Sequence, residues 1–213
     1  MKAAANGRPR SAACALAALL AIVPAVPVVA ETQAQPQADA HSAHHLQLDS
    51  RVMRTTADYQ VPPVRLTRSD GSVVSLVDEL DDGRPVVLDF IYTTCTAVCP
   101  LSSQTFSDLS QRLGAAHGVH LVSVSIDPEQ DTPQRMRQYA NRYDAGAQWS
   151  FYTGTLPASE TVQKAFHVFR GAKMLHEPTT LVRLAPGKPW IRFDGFVTSQ
   201  ELLAELRDRS AVR

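Results

Sequence analysis

The chain has no excess of charge: 21 basic side chains stand against 21 acidic ones in 213 residues. That balance argues against a general affinity for nucleic acid. Cysteine is scarce, with three residues at positions 14, 95 and 99. No internal repeat is visible. Long uninterrupted apolar runs are missing as well. The most apolar stretch, residues 12–23, is short and is followed by Pro24 and Pro27, which weighs against a confident membrane span. The length suits one domain with a substantial core plus extensions.

The first thirty residues contain no acidic side chain. Lys2, Arg8 and Arg10 form a basic leading region, the apolar stretch follows, and Val28-Val29-Ala30 resembles a small-residue cleavage site. This is the pattern of an export signal, either cleaved or kept as an anchor. Cleavage would remove Cys14 and leave 18 basic against 21 acidic residues. An exported chain with the single remaining pair, Cys95 and Cys99, can hold one disulfide or one metal.

Residues 31–60 are poor in large apolar side chains and read as a linker. His41, His44 and His45 lie in it. They are read as part of a solvated tail, with an auxiliary copper or zinc docking site as the alternative. The folded domain is expected over residues 61–209. Residues 64–66 and 73–74 read as strands of a hairpin turning at Asp70-Gly71. A short helix over 75–80 and a buried, β-branched strand over 85–92 follow.

The two cysteines come next, in Thr93-Thr94-Cys95-Thr96-Ala97-Val98-Cys99-Pro100. A helix is expected over 101–113, with Pro100 in its first turn. Both thiols therefore fall at a strand end and a helix start, where the positive end of the helix favours thiolate. Residues 120–126 predict a second core strand. The Asp131-Thr132-Pro133 triplet opens a helix to about 143, residues 149–152 a short strand, and 159–169 another helix. A hairpin over 180–184 and 190–193 and a helix capped by Thr198 close the chain. Alternating strands and helices with a terminal hairpin describe an α/β domain with a mixed sheet, and a cysteine turn after its first main strand is the thioredoxin arrangement.

With these residues in place, the chain resembles the Sco/SenC family of copper chaperones, which have a thioredoxin fold. Three segments carry the resemblance: residues 90–100 with their Cys-x-x-x-Cys-Pro, Ser125-Ile126-Asp127-Pro128-Glu129-Gln130-Asp131-Thr132-Pro133, and His176 in the loop before a strand. The resemblance implies a thioredoxin-like domain with a central mixed sheet flanked by helices, here with an N-terminal β-hairpin extension. It also implies a copper site on Cys95, Cys99 and His176. Two thiolates and an imidazole suit soft Cu(I), and Cu(II) with an added oxygen donor. Ala97 stands where many members carry aspartate, and Leu175 precedes the histidine.

The implied partner is a cuproenzyme client such as a cytochrome c oxidase subunit, with other copper carriers or thiol reductants as further partners. The implied place is the periplasm or the outer face of the inner membrane. The alternative function is a thiol–disulfide oxidoreductase, with Cys95 attacking and Cys99 resolving. No Pro-x-x-x-Thr-x-x-Cys approach leads to Cys95, which counts against a peroxidase.

Other candidates receive structural readings. His167 reads as a structural or surface histidine inside a helix, and His117 and His120 as solvent-exposed. Met174 is expected to pack against the sheet, and Asp127 and Asp131 to serve as turn and cap residues. Pro178-Thr179-Thr180 resembles the cis-proline loop of thioredoxins, which lies against their cysteines.

Overall fold

The computed structural model describes residues 52–114 and 118–208. The export segment, His41, His44, His45 and His117 lie outside the described residues. Eight strands form one sheet in the order β1-β8-β7-β4-β5-β6-β2-β3. The strands are β1 (Met53–Ala57), β2 (Arg65–Arg68), β3 (Val73–Ser75), β4 (Val86–Ile91), β5 (His120–Ser125), β6 (Trp149–Thr153), β7 (Thr179–Arg183) and β8 (Trp190–Asp194). The β4–β5 and β5–β6 ladders are parallel and the rest antiparallel. The fold is α/β and thioredoxin-like, and its β2–β3 hairpin is the expected extension.

β4 and β5 are buried along their whole length; β4 reads as a nearly continuous apolar run, while β5 also buries His120, Ser123 and Ser125. Helices α2 (Val98–Leu113) and α3 (Pro133–Arg142) cover one face. Phe106 of α2 meets the Trp149 ring at 5.5 Å, and Tyr139 of α3 meets Phe151 at 6.3 Å. On the opposite face α1 (Leu76–Leu80) buries Leu76 and Leu80. There too Phe166, at the end of α4 (Leu156–Ala165), packs on Phe90 and Trp190. Each such fully buried large apolar side chain contributes about 1.5–3 kcal/mol. Helix α5 (Ser199–Arg207) opens on a capping box between Thr198 and Glu201.

Several expectations need correction. A strand lies inside the expected linker of residues 31–60: β1 pairs with β8 through main-chain hydrogen bonds while its side chains are almost all exposed, so it has no apolar signature. His120 is 1% exposed, not at the surface. Its ring lies within 3.1 Å of both the Glu79 carbonyl and the Ser150 hydroxyl, polar partners that make burial tolerable. α4 starts at Leu156 behind the Thr155 cap and stops at Ala165, so His167 lies beyond it in a left-handed conformation, φ 56°, with its ring exposed. Met174 is 76% exposed rather than packed on the sheet, because a single 3-10 turn (Lys173–Leu175) lifts it off. No peptide bond among the described residues is cis, so Pro178 joins β7 in the trans form that X–Pro bonds favour by default.

Candidate metal centre

The register of β4 assembles the site. Asp89 pairs with Ser123 on one side and Thr180 on the other, so the end of β4, the loop after β5 and the start of β7 meet at one end of the sheet. From β4 the chain turns through Tyr92-Thr93-Thr94-Cys95, with the Cys95 amide donating to the Tyr92 carbonyl at 3.0 Å. Ala97 then caps α2 without a side-chain bond, and Cys99 falls in the first helical turn with Pro100 beside it. Both cysteines are thiols, 7% and 1% exposed. The amide of Cys99 donates to the Cys95 sulfur at 3.4 Å. The four-residue spacing thus brings the two residues together as the sequence implied.

The two thiols are unequal. Burial opposes ionisation of Cys95, but the Cys99 thiol, the amides of Cys99 and Ala97 and the Tyr92 hydroxyl outweigh it, holding the Cys95 pKa below the ordinary thiol value. Cys99 is pushed the other way, first by burial and then by its neighbour Cys95. Burial, with help from Cys95, raises the Tyr92 hydroxyl to about 12. At neutral pH that hydroxyl keeps its proton and remains a donor facing sulfur.

His176 caps the 3-10 turn and is buried beside the end of β4. Its Nε2 lies 2.9 Å from the Phe90 carbonyl. A carbonyl only accepts, so Nε2 carries the proton and Nδ1 is the free lone pair. Burial lowers the pKa of the ring and favours this neutral form. An imidazole whose second nitrogen is tied to a main-chain carbonyl is the usual state of a metal-ligating histidine. Among the described residues, however, no three His, Cys, Asp or Glu side chains come together as a metal cluster. The cysteine pair is assembled, and His176 stands apart from it on the neighbouring loop.

That loop is held by contacts the sequence did not announce. Lys173 forms an ion pair with Asp127 and lies 5.6 Å from the centre of the Tyr92 ring. The Tyr92 hydroxyl is 3.7 Å from the Met174 sulfur. A cavity of about 250 Å³ flanks His176, lined in part by Asp127, Glu160, Gln163 and Lys173. Asp131 is also misread as a cap. Thr132 caps α3, and Asp131 turns inward to Thr93 and Ser125.

Fold and site together define a thioredoxin-like dithiol protein with an asymmetric cysteine pair and a neutral histidine nearby. The SCO1/SenC family model matches residues 53–183, and the chain belongs to that family. It is 35% identical over 99 residues to the SCO1 protein homolog of Bacillus subtilis (strain 168), covering 46% of this chain and 50% of the relative. The chain thus spans about half the length of the curated relatives it matches. Copper-bound ScoI of Bradyrhizobium japonicum superposes with TM-score 0.58 at 26% identity, over 68% of this chain and 96% of that one. BsSco, described as a cytochrome c oxidase assembly protein with a disulfide switch, superposes with TM-score 0.62 at 24% identity, over 76% and 99%.

Proposed function

We propose that this protein is a copper-binding metallochaperone of the cell envelope, carrying one copper ion as cargo on Cys95, Cys99 and His176. The observation that carries the reading is the cysteine pair itself: two adjacent, reduced thiols, one biased toward thiolate, at the start of α2. Soft thiolate ligands select Cu(I), and the free Nδ1 of His176 supplies a third donor of suitable chemistry. Completing the set requires the loop around residues 173–176 to bring His176 to the sulfurs. Copper bound to the Bradyrhizobium relative supports the cargo. The role given to BsSco supports a cuproenzyme client, most naturally the dinuclear copper site of cytochrome c oxidase. The basic, acid-free first thirty residues support export to the periplasm or the outer face of the inner membrane.

Anaerobic Cu(I) titration of the reduced protein tests this. One tight equivalent is expected, abolished by Cys95→Ser with Cys99→Ser and weakened by His176→Ala. Tight binding that survives loss of both cysteines would sink the assignment.

The inequality of the thiols favours a second reading, reduction of client disulfides. The Cys95 thiolate attacks a client disulfide, forming a mixed disulfide and releasing one client thiolate. Cys99 then loses its proton and attacks the Cys95 sulfur, releasing the second thiolate and leaving Cys95–Cys99 oxidised by two electrons. Stoichiometric reduction of a disulfide substrate by metal-free protein would favour this route.

A further inference from the structure

The loop between β5 and α3 sends a buried carboxylate across to the cysteine turn. Asp131 is 0% exposed. Its Oδ1 accepts from the Thr93 amide at 3.1 Å and from the Thr93 hydroxyl at 2.5 Å. Its Oδ2 accepts from the Ser125 hydroxyl at 2.6 Å. The Asp131 main chain is itself fixed, its amide donating to the Asp127 carbonyl at 2.9 Å and Thr132 capping α3 immediately afterwards. Thr93 is the second residue of the turn that closes on Cys95. Both polar hydrogens of that residue are therefore spent on one side chain from another part of the chain.

The geometry points to Asp131 as a positioning residue for Cys95. Its carboxylate grips both donors of Thr93, fixing the turn so that the Cys95 sulfur meets the Cys99 amide while Cys99 stays buried. This rests on the cysteine pair being the working site and adds to it a role for Asp131, which is remote from both cysteines in sequence. Several hydrogen bonds converging on one buried carboxyl group define an orientation as well as an energy. Without them the Thr93 amide and hydroxyl lose their partner, and the turn has no other tie to the β5–α3 loop among the bonds described here.

The test is the ratio of alkylation rates at Cys95 and Cys99 in the reduced, metal-free full-length protein, read by mass spectrometry with iodoacetamide at pH 7. Thermal stability is recorded alongside. In the wild type Cys95 is expected to react well ahead of the more deeply buried Cys99. Loosening the turn both removes donors from Cys95 and uncovers Cys99, so either effect lowers the ratio. Asp131→Ala is expected to lower it about tenfold, the size of leaving the Thr93 donors without their acceptor. Asp131→Asn keeps an acceptor toward Thr93 and can donate to Ser125, and is expected to stay within about twofold of wild type. Thr93→Val removes the hydroxyl but keeps the amide. It is expected to lower the ratio about threefold, and it carries the test if Asp131→Ala does not fold.

A fall in melting temperature with an unchanged ratio in folded Asp131→Ala or Thr93→Val overturns the proposal, leaving Asp131 a purely structural residue. An Asp131→Asn ratio matching that of Asp131→Ala also overturns it, because charge rather than placement would then be at work. Cu(I) binding by the wild type is read separately. Its absence would remove the copper assignment and leave the alkylation ratio as the measure of Asp131.

Discussion

Replacing Asp89 with asparagine should change the stability of this protein in a pH-dependent way. Asp89 is 1% exposed in the middle of the sheet. Its Oδ1 accepts from Ser123 at 2.6 Å, and its Oδ2 has no hydrogen-bond partner. Burial raises its pKa from 3.8 to about 7, more than the Ser123 bond can offset. Between those two values the folded chain holds a proton that the unfolded chain has released. The folded state therefore binds more protons, and stability falls as pH rises through the window.

Well below the unfolded value of 3.8 the carboxyl is neutral in both states and costs little. By pH 8 it is ionised in both, and the rise from 3.8 to about 7 corresponds to about 4 kcal/mol lost. Asparagine has the shape of the neutral acid, keeps an acceptor for Ser123 and does not titrate. Urea denaturation of the reduced, metal-free proteins at pH 4, 6 and 8 measures the difference. Subtracting one protein from the other cancels every titrating group they share, His120 included. The stability of the variant relative to the wild type should rise by about 4 kcal/mol from pH 4 to pH 8, on top of a pH-independent offset from its unpartnered amide N–H groups. A stability gap that stays constant across the three pH values would refute the reasoning, because Asp89 would then not titrate in this window.

Three further outcomes are expected. Copper loading on two thiolates displaces protons, at minimum the one burial holds on Cys99, so apparent Cu(I) affinity should rise between about tenfold and a hundredfold per pH unit from 6 to 8. A pH-independent chelator competition would contradict a dithiolate site. His120→Ala removes buried hydrogen-bonding partners of Glu79 and Ser150 and should cost about 2–4 kcal/mol in chemical denaturation without altering copper stoichiometry. Burial lowers the His120 pKa, so its contribution is present above the unfolded value and lost as pH falls through it; the penalty of the variant should shrink toward pH 5. Thr198→Ala dismantles the capping box of α5 and should cost about 1 kcal/mol, read as a lower urea midpoint with unchanged slope.

What the sequence made legible follows from where each signal comes from. β4 is buried on both faces, so its apolar run was plain, and Pro133 and the Thr198 cap marked helix starts through local chemistry. The nearness of Cys95 and Cys99 is a four-residue property and needed no tertiary information. β1 was invisible because its stability comes from the β8 main chain rather than from its own side chains. His120 was misplaced because its polar partners arrive from Glu79 and Ser150, 41 and 30 residues away. Asp131 was misread for the same reason: a carboxylate before Thr-Pro looks like a cap until Thr93, 38 residues earlier, is brought against it. Local patterns announce elements, whereas buried polar groups announce themselves only when their partners are known.

The direction in which β1 runs ties the cysteines to whatever lies upstream. Met53 pairs with Asp194, Asp194 with Thr179, and the next residue, Thr180, with Asp89. The chain accordingly enters the domain at the same end of the sheet as Cys95, and β1 then runs away from it. Any point to which the preceding segment is fastened is therefore leashed to the dithiol end rather than to the far edge. The hold on that leash is a five-residue antiparallel ladder reinforced by the Arg54–Glu205 ion pair to α5. Under the proposed copper-carrying function, the route of entry sets the reach and heading of the site as much as the loops around it do.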